Sequence, residues 1–375
     1  MTPIRLAMVG GGPGAFIGPV HRMAAELDGR IRLVAGAFSR DPDKSAAAAE
    51  AWGARGYADW REMLAVEAAR PDGAQAVAVV TPNHLHFPVC RAALEAGLHV
   101  MSDKPATLNL AEARELAGVV EKSGRLYGLT YTYTGYPMIR EAREIVRRGD
   151  LGQVRKIVVE YPQGWLSRAI EREGAKQAEW RLDPALAGAG CIGDIGVHAF
   201  NLAEFVGGVR VERLCADVST VVPGRPLDDD CNVLLRFENG ARGVLIASQI
   251  SAGARNGLKL QVYGETGGLT WSHERPSELT LDWLDGPTHV LHAASGYLSG
   301  PAQAASRIPT GHPEGFIEAF ANLYRDFAAA IAEGRPDAGL VPGIGEGVRS
   351  MAFVETAVAA SRDGQGWVTL EGALP

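Results

Sequence analysis

The sequence predicts an α/β protein in two parts, a doubly wound parallel sheet followed by an α/β region with a mostly antiparallel sheet. Three observations carry this reading. Apolar strand patterns alternate with helical patterns over the first third of the chain, as parallel βαβ units require. Six half-apolar alternating segments joined by short turns follow between residues 154 and 272, as an antiparallel sheet requires. A length of 375 residues is too great for one ordinary domain and suits two, and 46% hydrophobic residues suffice for two cores.

Residues 4–9 form a short apolar strand that stops at Gly10-Gly11-Gly12, and a helical pattern resumes around His21, Met23, Ala24 and Leu27. A second strand covers 31–38. The run 76–80 reads as a strand buried on both faces and leads into Thr81-Pro82-Asn83-His84-Leu85-His86. A helix at 89–96, with Gly97 as its C-cap, precedes a strand at 98–101 that leads to Lys104. The last parallel strand, 126–130, sets the expected division into 1–130 and 131–375. Beyond it come a helix at 138–148 and strands at 154–161, 211–220, 232–237, 243–250, 258–263 and 268–272, with Asn239-Gly240 as a hairpin signal. Helices at 314–332 and 348–361 close the chain.

Strand, glycine turn and helix form the unit that binds a dinucleotide pyrophosphate. Glycines let the backbone approach, and the free N–H groups at the helix start bind phosphate oxygens. Gly10 and Gly12 are in register with G-x-G-x-x-G, but Pro13 to Ile17 separate Gly12 from Gly18. The second strand ends at Ser39-Arg40, where a dinucleotide fold reads the adenosine ribose. A hydroxyl and a guanidinium suit a 2′-phosphate, which leans the expectation from NAD toward NADP, although Asp41 and Asp43 are close. Gly10, Ser39, Thr81 and Lys104 all fall at strand ends, where such sheets bind ligands.

The segment Gly190-Cys191-Ile192-Gly193-Asp194-Ile195-Gly196-Val197-His198 sets a carboxylate and an imidazole on one helix face. Together with Lys104 it provides a base, a cation and a carboxylate, a set that removes a proton from an alcohol while hydride leaves its carbon. Asp194 could also serve as a helix N-cap. Its spacing from His198 matches a metal pair, but no third ligand is apparent and a nearby lysine disfavours a divalent cation, so no metal is expected.

The order glycine turn, T-P-N-x-x-H, D-K-P and G-D-I-G-x-H resembles the family of glucose–fructose oxidoreductase, inositol dehydrogenase and MocA over nearly the whole chain. The resemblance implies an N-terminal Rossmann domain and a C-terminal domain on a large, open, mostly antiparallel sheet. It implies catalytic roles for Lys104, Asp194 and His198. The cofactor set becomes Gly10, Gly12, Ile17, Gly18, Ser39, Arg40, Thr81, Pro82, Asn83, His86, Asp103 and Lys104, with His86 preferred over His84 by register. Trp180-Arg181 before G-D-I-G-x-H looks most like the branch acting on levoglucosan, inositols and other cyclic polyols or pyranosides. Where the family often has N-x-R, this chain reads Tyr131-Thr132-Tyr133-Thr134, leaving Arg181 and His312 as candidates for the missing arginine's contacts. The substrate set is Lys104, Tyr133, Trp165, Trp180, Arg181, Asp194, His198 and His312. The implied activity is NAD(P)-dependent oxidation of a ring hydroxyl. An enzyme that retains NAD for hydrolysis or epimerisation and a non-catalytic dinucleotide sensor are the alternatives.

A formal net charge of −7 without a basic run argues against nucleic acid as partner. Cys90, Cys191, Cys215 and Cys231 show no metal-type pairing and read as reduced thiols. No apolar run approaches membrane-spanning length, and the chain enters its first strand without a charged leader, so the expected location is the cytoplasm. A sheet face without covering helices makes a homodimer or homotetramer through the C-terminal sheet the expected assembly.

Overall fold

A computed structural model describes residues 2–12, 14–173, 180–335 and 337–371. The chain divides into two compact units, one running to Gly135 and including Phe316–Val348, the other comprising Tyr136–Gly315 and residues 349–371.

The first unit holds a six-stranded sheet in the order β3-β2-β1-β4-β5-β6, every pair parallel. Its strands are β1 Ile4–Gly10, β2 Ile31–Ala37, β3 Arg55–Gly56, β4 Ala76–Val80, β5 His99–Ser102 and β6 Tyr127–Leu129. That order reverses direction of growth between β1 and β4, the crevice where doubly wound sheets bind dinucleotides. Every residue of β4 is buried, which explains its unbroken Ala-Val composition. Helices α1 Ile17–Glu26, α2 Pro42–Trp52, α3 Trp60–Ala69, α4 His86–Glu95 and α5 Leu110–Ser123 connect the strands. The helix Phe316–Glu333 packs along α1 and joins the same core through Phe320, Tyr324 and Phe327, each at most 1% exposed. Burial of rings of this size contributes roughly 1.5–3 kcal/mol apiece. This is why a segment late in the sequence belongs with the first unit, a return that a single boundary near residue 130 does not include.

The second unit is built on nine strands in the order β14-β13-β12-β11-β7-β10-β9-β8-β15. These are β7 Lys156–Pro162, β8 Val211–Ser219, β9 Asp230–Phe237, β10 Arg242–Ser248, β11 Lys259–Tyr263, β12 Gly267–Ser272, β13 Glu278–Trp283, β14 His289–His292 and β15 Val368–Thr369. All neighbours run antiparallel except β7 and β10. The six expected strands lie at the centre. Of the three unexpected ones, β14 and β15 are short edge strands with too few apolar residues for a clear alternating signal, whereas β13 lies inside β14 and does alternate Leu279, Leu281 and Trp283 with polar residues. The helix Val197–Gly207 packs over β7, β10 and β11, and α6 Pro137–Arg148 packs on β12 and β13. The other positions of the strands are more open, with Leu234 49% and Tyr263 39% exposed.

Cys90, Cys191 and Cys231 are buried, Cys215 is partly so, and all four are free thiols. Burial pushes the Cys90 thiol up to about 12 and those of Cys191 and Cys231 well above the usual range, so none of these three is primed as a nucleophile. Among the described residues no helix is long and apolar enough to cross a membrane. No cluster of three or more metal-ligating side chains occurs among them either.

Candidate active site

In the first unit the glycine turn is a backbone-only cradle. Gly10 and Gly11 adopt positive φ, 78° and 67°, a region open to glycine. A Cβ on Gly18 would lie 1.7 Å from the Gly11 carbonyl oxygen, and one on Gly12 would lie 2.9 Å from that of Phe38. Gly18 therefore brings α1 against the turn, and Gly14 and Phe16 of the spacer are exposed; Pro13 lies outside the described residues. Phe16 leads into α1 without a side-chain cap, so no side chain competes with an anion for the first N–H groups of the helix. Thr81 follows β4, and its buried Oγ1 finds no hydrogen-bond partner among the described residues. A dinucleotide phosphate and ribose fit this donor set.

At the end of β2, Ser39 Oγ accepts from Asp41 N at 3.1 Å, and the Asp41 carboxylate accepts from Asp43 N and Lys44 N as the cap of α2. Arg40 Nη2 lies 3.5 Å from His84 Nε2 at the surface. Asp41 is thus occupied by its helix, while Arg40 stays exposed.

His86 is not the ligand-facing imidazole that its register suggests. Its Nδ1 lies 2.6 Å from the Pro105 carbonyl and its Nε2 2.9 Å from that of Thr81. Burial lowers its pKa, and these carbonyl contacts pull weakly the other way. The ring ties the segment after β4 to the Lys104-Pro105 segment after β5 and so acts as a bracket. Asp103 is likewise committed within the unit. Its Oδ1 accepts from Lys104 N at 2.8 Å and from Thr130 Oγ1 at 3.0 Å. Its other oxygen lies 3.9 Å from His21 Nε2, whose Nδ1 is 2.7 Å from the Tyr324 hydroxyl. Complete burial lowers His21 to about 4 despite the facing carboxylate, so the ring is neutral at neutral pH. Asn83 is buried at the segment after β4, and Tyr133 is buried in the 3₁₀ turn Thr132–Gly135 of the same unit.

In the second unit the spacing of Asp194 and His198 does not span a regular α-helix. Ile192–Gly196 is a π-helical turn, and α-helical geometry begins at Val197. No side chain of its own caps either element, so Asp194 is not the N-cap. Its Oδ2 instead accepts from Gln249 Nε2 at 2.8 Å and faces Arg181 Nε at 3.6 Å. The Arg181 guanidinium stacks over the Trp180 ring, 4.3 Å from its centroid. His198 is 9% exposed, with the Tyr161 ring 6.3 Å away in an edge-on arrangement. Trp165 donates from Nε1 to Gln163 Oε1 at 3.1 Å and packs beside Leu166 and Leu182. Trp271 is fully buried in the core. His312 lies at the surface, its Nδ1 3.1 Å from the Pro309 carbonyl, so of the two candidates Arg181 is the one that joins Asp194.

Sequence reasoning missed the amide and acid partners of this site. Gln163 donates to Asn256 Oδ1 at 2.8 Å, and Tyr161 donates to the same oxygen at 2.6 Å. Asp228 is buried, which raises its pKa, while Gly190 N and Ile192 N donate to its two oxygens at 2.7 and 2.8 Å. The only signal for it was three successive acids, Asp228-Asp229-Asp230, at the mouth of an apolar strand.

Comparison with known proteins agrees with this architecture. Residues 4–131 match the oxidoreductase family model with a NAD-binding Rossmann fold, and 139–270 match the GFO/IDH/MocA C-terminal domain. An uncharacterized oxidoreductase of Bacillus subtilis, YfiI, is 33% identical over 98% of this chain and 96% of its own. Levoglucosan dehydrogenase of Pseudarthrobacter phenanthrenivorans is 26% identical over 98% of each chain. The crystal structure of an inositol dehydrogenase homolog from Azotobacter vinelandii, complexed with NADH and myo-inositol, is 38% identical with a TM-score of 0.92 over 98% of each chain. Spanning both halves of the sequence and both sheets, these matches make the chain an oxidoreductase of the GFO/IDH/MocA family, with a NAD-binding Rossmann domain at its N-terminus.

Proposed function

We propose that this protein is an NAD(P)-dependent dehydrogenase that oxidises a ring hydroxyl of a cyclic polyol or pyranoside, in the class of inositol or levoglucosan, to a ketone. The observation that carries the reading is Asp194, set on a π-helical turn one turn ahead of His198 and held by Gln249 and Arg181. π-Helical turns concentrate at functional sites, and a polar group assembled this way adds little to packing.

The nicotinamide, when bound, supplies the hydride acceptor. His198 takes the hydroxyl proton as general base, a task suited to an imidazole. Lys104 stabilises the negative charge that grows on the oxygen as the carbon is oxidised. Asp194 accepts a hydrogen bond from the substrate hydroxyl or orients His198. Arg181, Trp180, Trp165 and Tyr133 hold the sugar, with His312 at the margin, and Asn83, Pro82, Thr81 and Ile17 line the cofactor. Residues 1–130 carry the cofactor half of this work, and 131–375 carry substrate binding and assembly. Ser39 and Arg40 favour NADP over NAD. The enzyme works in the cytoplasm, consistent with its free thiols, as a homodimer or homotetramer through the open face of the nine-stranded sheet.

The test is a panel of cyclic polyols, pyranosides and anhydrosugars incubated with NAD⁺ and NADP⁺ side by side and followed by nicotinamide absorbance. Net reduction with a cyclic polyol or pyranoside is the expected result. Substrate consumption without net absorbance change would replace the dehydrogenase with an enzyme that recycles a retained cofactor. Cofactor binding without any turnover would leave a sensor.

A further inference from the structure

We infer that Asp228 is a positioning residue, whose buried carboxylate sets the π-helical turn and through it the aim of Asp194 and His198. The inference rests on the dehydrogenase reading above and adds to it a residue that touches neither substrate nor cofactor.

Three successive backbone N–H groups ahead of Asp194 end on this one residue. Gly190 N donates to Asp228 Oδ1 at 2.7 Å, Cys191 N to the Asp228 carbonyl at 2.9 Å and Ile192 N to Oδ2 at 2.8 Å. The fit is close: a Cβ on Gly190 would lie 1.9 Å from the Asp228 carbonyl oxygen. Asp194 N in turn donates to Gly190 O at 2.9 Å, so the backbone of the candidate carboxylate is one hydrogen bond from the anchored segment. Asp228 thus does from a distant part of the chain what an N-cap does locally.

The anchor is itself fixed. The adjacent Asp229 carboxylate accepts from Val221 N at 2.8 Å, Val222 N at 3.1 Å and Arg225 Nη1 at 3.0 Å. Gln249, the side-chain donor to Asp194, gives its own backbone N–H to the Asp229 carbonyl at 2.9 Å. The main chain of Asp194 is therefore referenced to Asp228, and the donor to its side chain is referenced to Asp229. One dipeptide fixes both. Displacement of a reacting group by about 1 Å costs on the order of 10²-fold in rate, so loss of this anchor should register in the chemical step.

The test uses Asp228→Asn and Asp228→Glu in the full chain. The amide keeps the shape but has one oxygen for two N–H groups and turns its own NH₂ toward the second. The glutamate keeps the charge and moves it by one methylene. Three readouts are taken with the cyclic polyol that the wild type oxidises fastest, unlabelled and deuterated at the reacting carbon: kcat and KM, the isotope effect, and NADH affinity by fluorescence. The expected result for both is a kcat lowered roughly 10- to 100-fold, an isotope effect that rises as hydride transfer becomes limiting, a KM that moves little and unchanged NADH affinity. Wild-type kcat and isotope effect in Asp228→Asn overturn the inference. So does an activity loss that only tracks the folded fraction in both variants, or failure of both to yield folded protein, because either assigns Asp228 to folding alone. Failure of the functional reading looks different: His198→Ala then keeps the wild-type rate as well.

Discussion

The Gln249 side-chain amide, itself 2% exposed, donates to Asp194 Oδ2 at 2.8 Å. A buried amide so placed holds the carboxylate as an acceptor in one orientation. Replacing it with leucine removes a hydrogen bond to a charged group, an interaction worth about 1.5–3 kcal/mol, so Gln249→Leu should lower kcat roughly 10- to 100-fold. Steady-state kinetics checks this against NADH affinity, which should stay at the wild-type value.

The glycine turn makes a second prediction. Because a Cβ on Gly18 would lie 1.7 Å from the Gly11 carbonyl oxygen, Gly18→Ala must push α1 away from the turn that should meet the pyrophosphate. Calorimetric titration with NADH should show binding weakened by at least about tenfold. Gly14→Ala is the control for the same loop. No atom lies within 4 Å of that Cβ position, although its φ of +89° makes the change a strained one. It should lower stability by about 1 kcal/mol while retaining NADH binding.

The proposed preference for NADP over NAD is tested at the end of β2. Arg40 is exposed, whereas Asp41 is spent on the α2 cap. Arg40→Ala should raise KM for NADP⁺ roughly tenfold or more, the worth of a charge-assisted phosphate contact, and leave KM for NAD⁺ nearly unchanged. Equal effects on the two would assign Arg40 to general surface charge.

His21 sets a pH limit on stability. In the fold its pKa is lowered to about 4 by burial, against 6.5 for a solvated imidazole. Between these values the unfolded chain binds the extra proton, so the contribution is complete above pH 6.5 and is lost as pH falls toward 4. The amount at stake is ~3 kcal/mol. Denaturant titrations across that window should show wild-type stability dropping on acidification and a flatter profile for His21→Gln.

Much of this was legible in the sequence because it rests on local pattern. The Ala-Val run of β4 is apolar on both faces because helices cover both, and the glycines at 10, 12 and 18 stand where a side chain has no room. The four-residue spacing of Asp194 and His198 was visible in the sequence. The conformation between them was not, because the π-helical turn is held by Asp228, a residue distant in sequence whose role exists only after β9 has paired. His86 was misjudged for the same reason. Register says which way a ring points, but only the fold reveals that the Thr81 and Pro105 carbonyls occupy both nitrogens. The helix Phe316–Glu333 carries a clear amphipathic stripe, yet nothing in a stripe names the core it joins.

The central proposal, that His198 and Lys104 act on one substrate hydroxyl, is tested most directly by kcat for His198→Ala, Lys104→Ala and the double variant on the best cyclic polyol. The account predicts losses of roughly 10²- to 10⁴-fold for each single change and a double variant far less impaired than the product of the two, as for groups acting on one hydroxyl. Near-wild-type turnover in both single variants would contradict it.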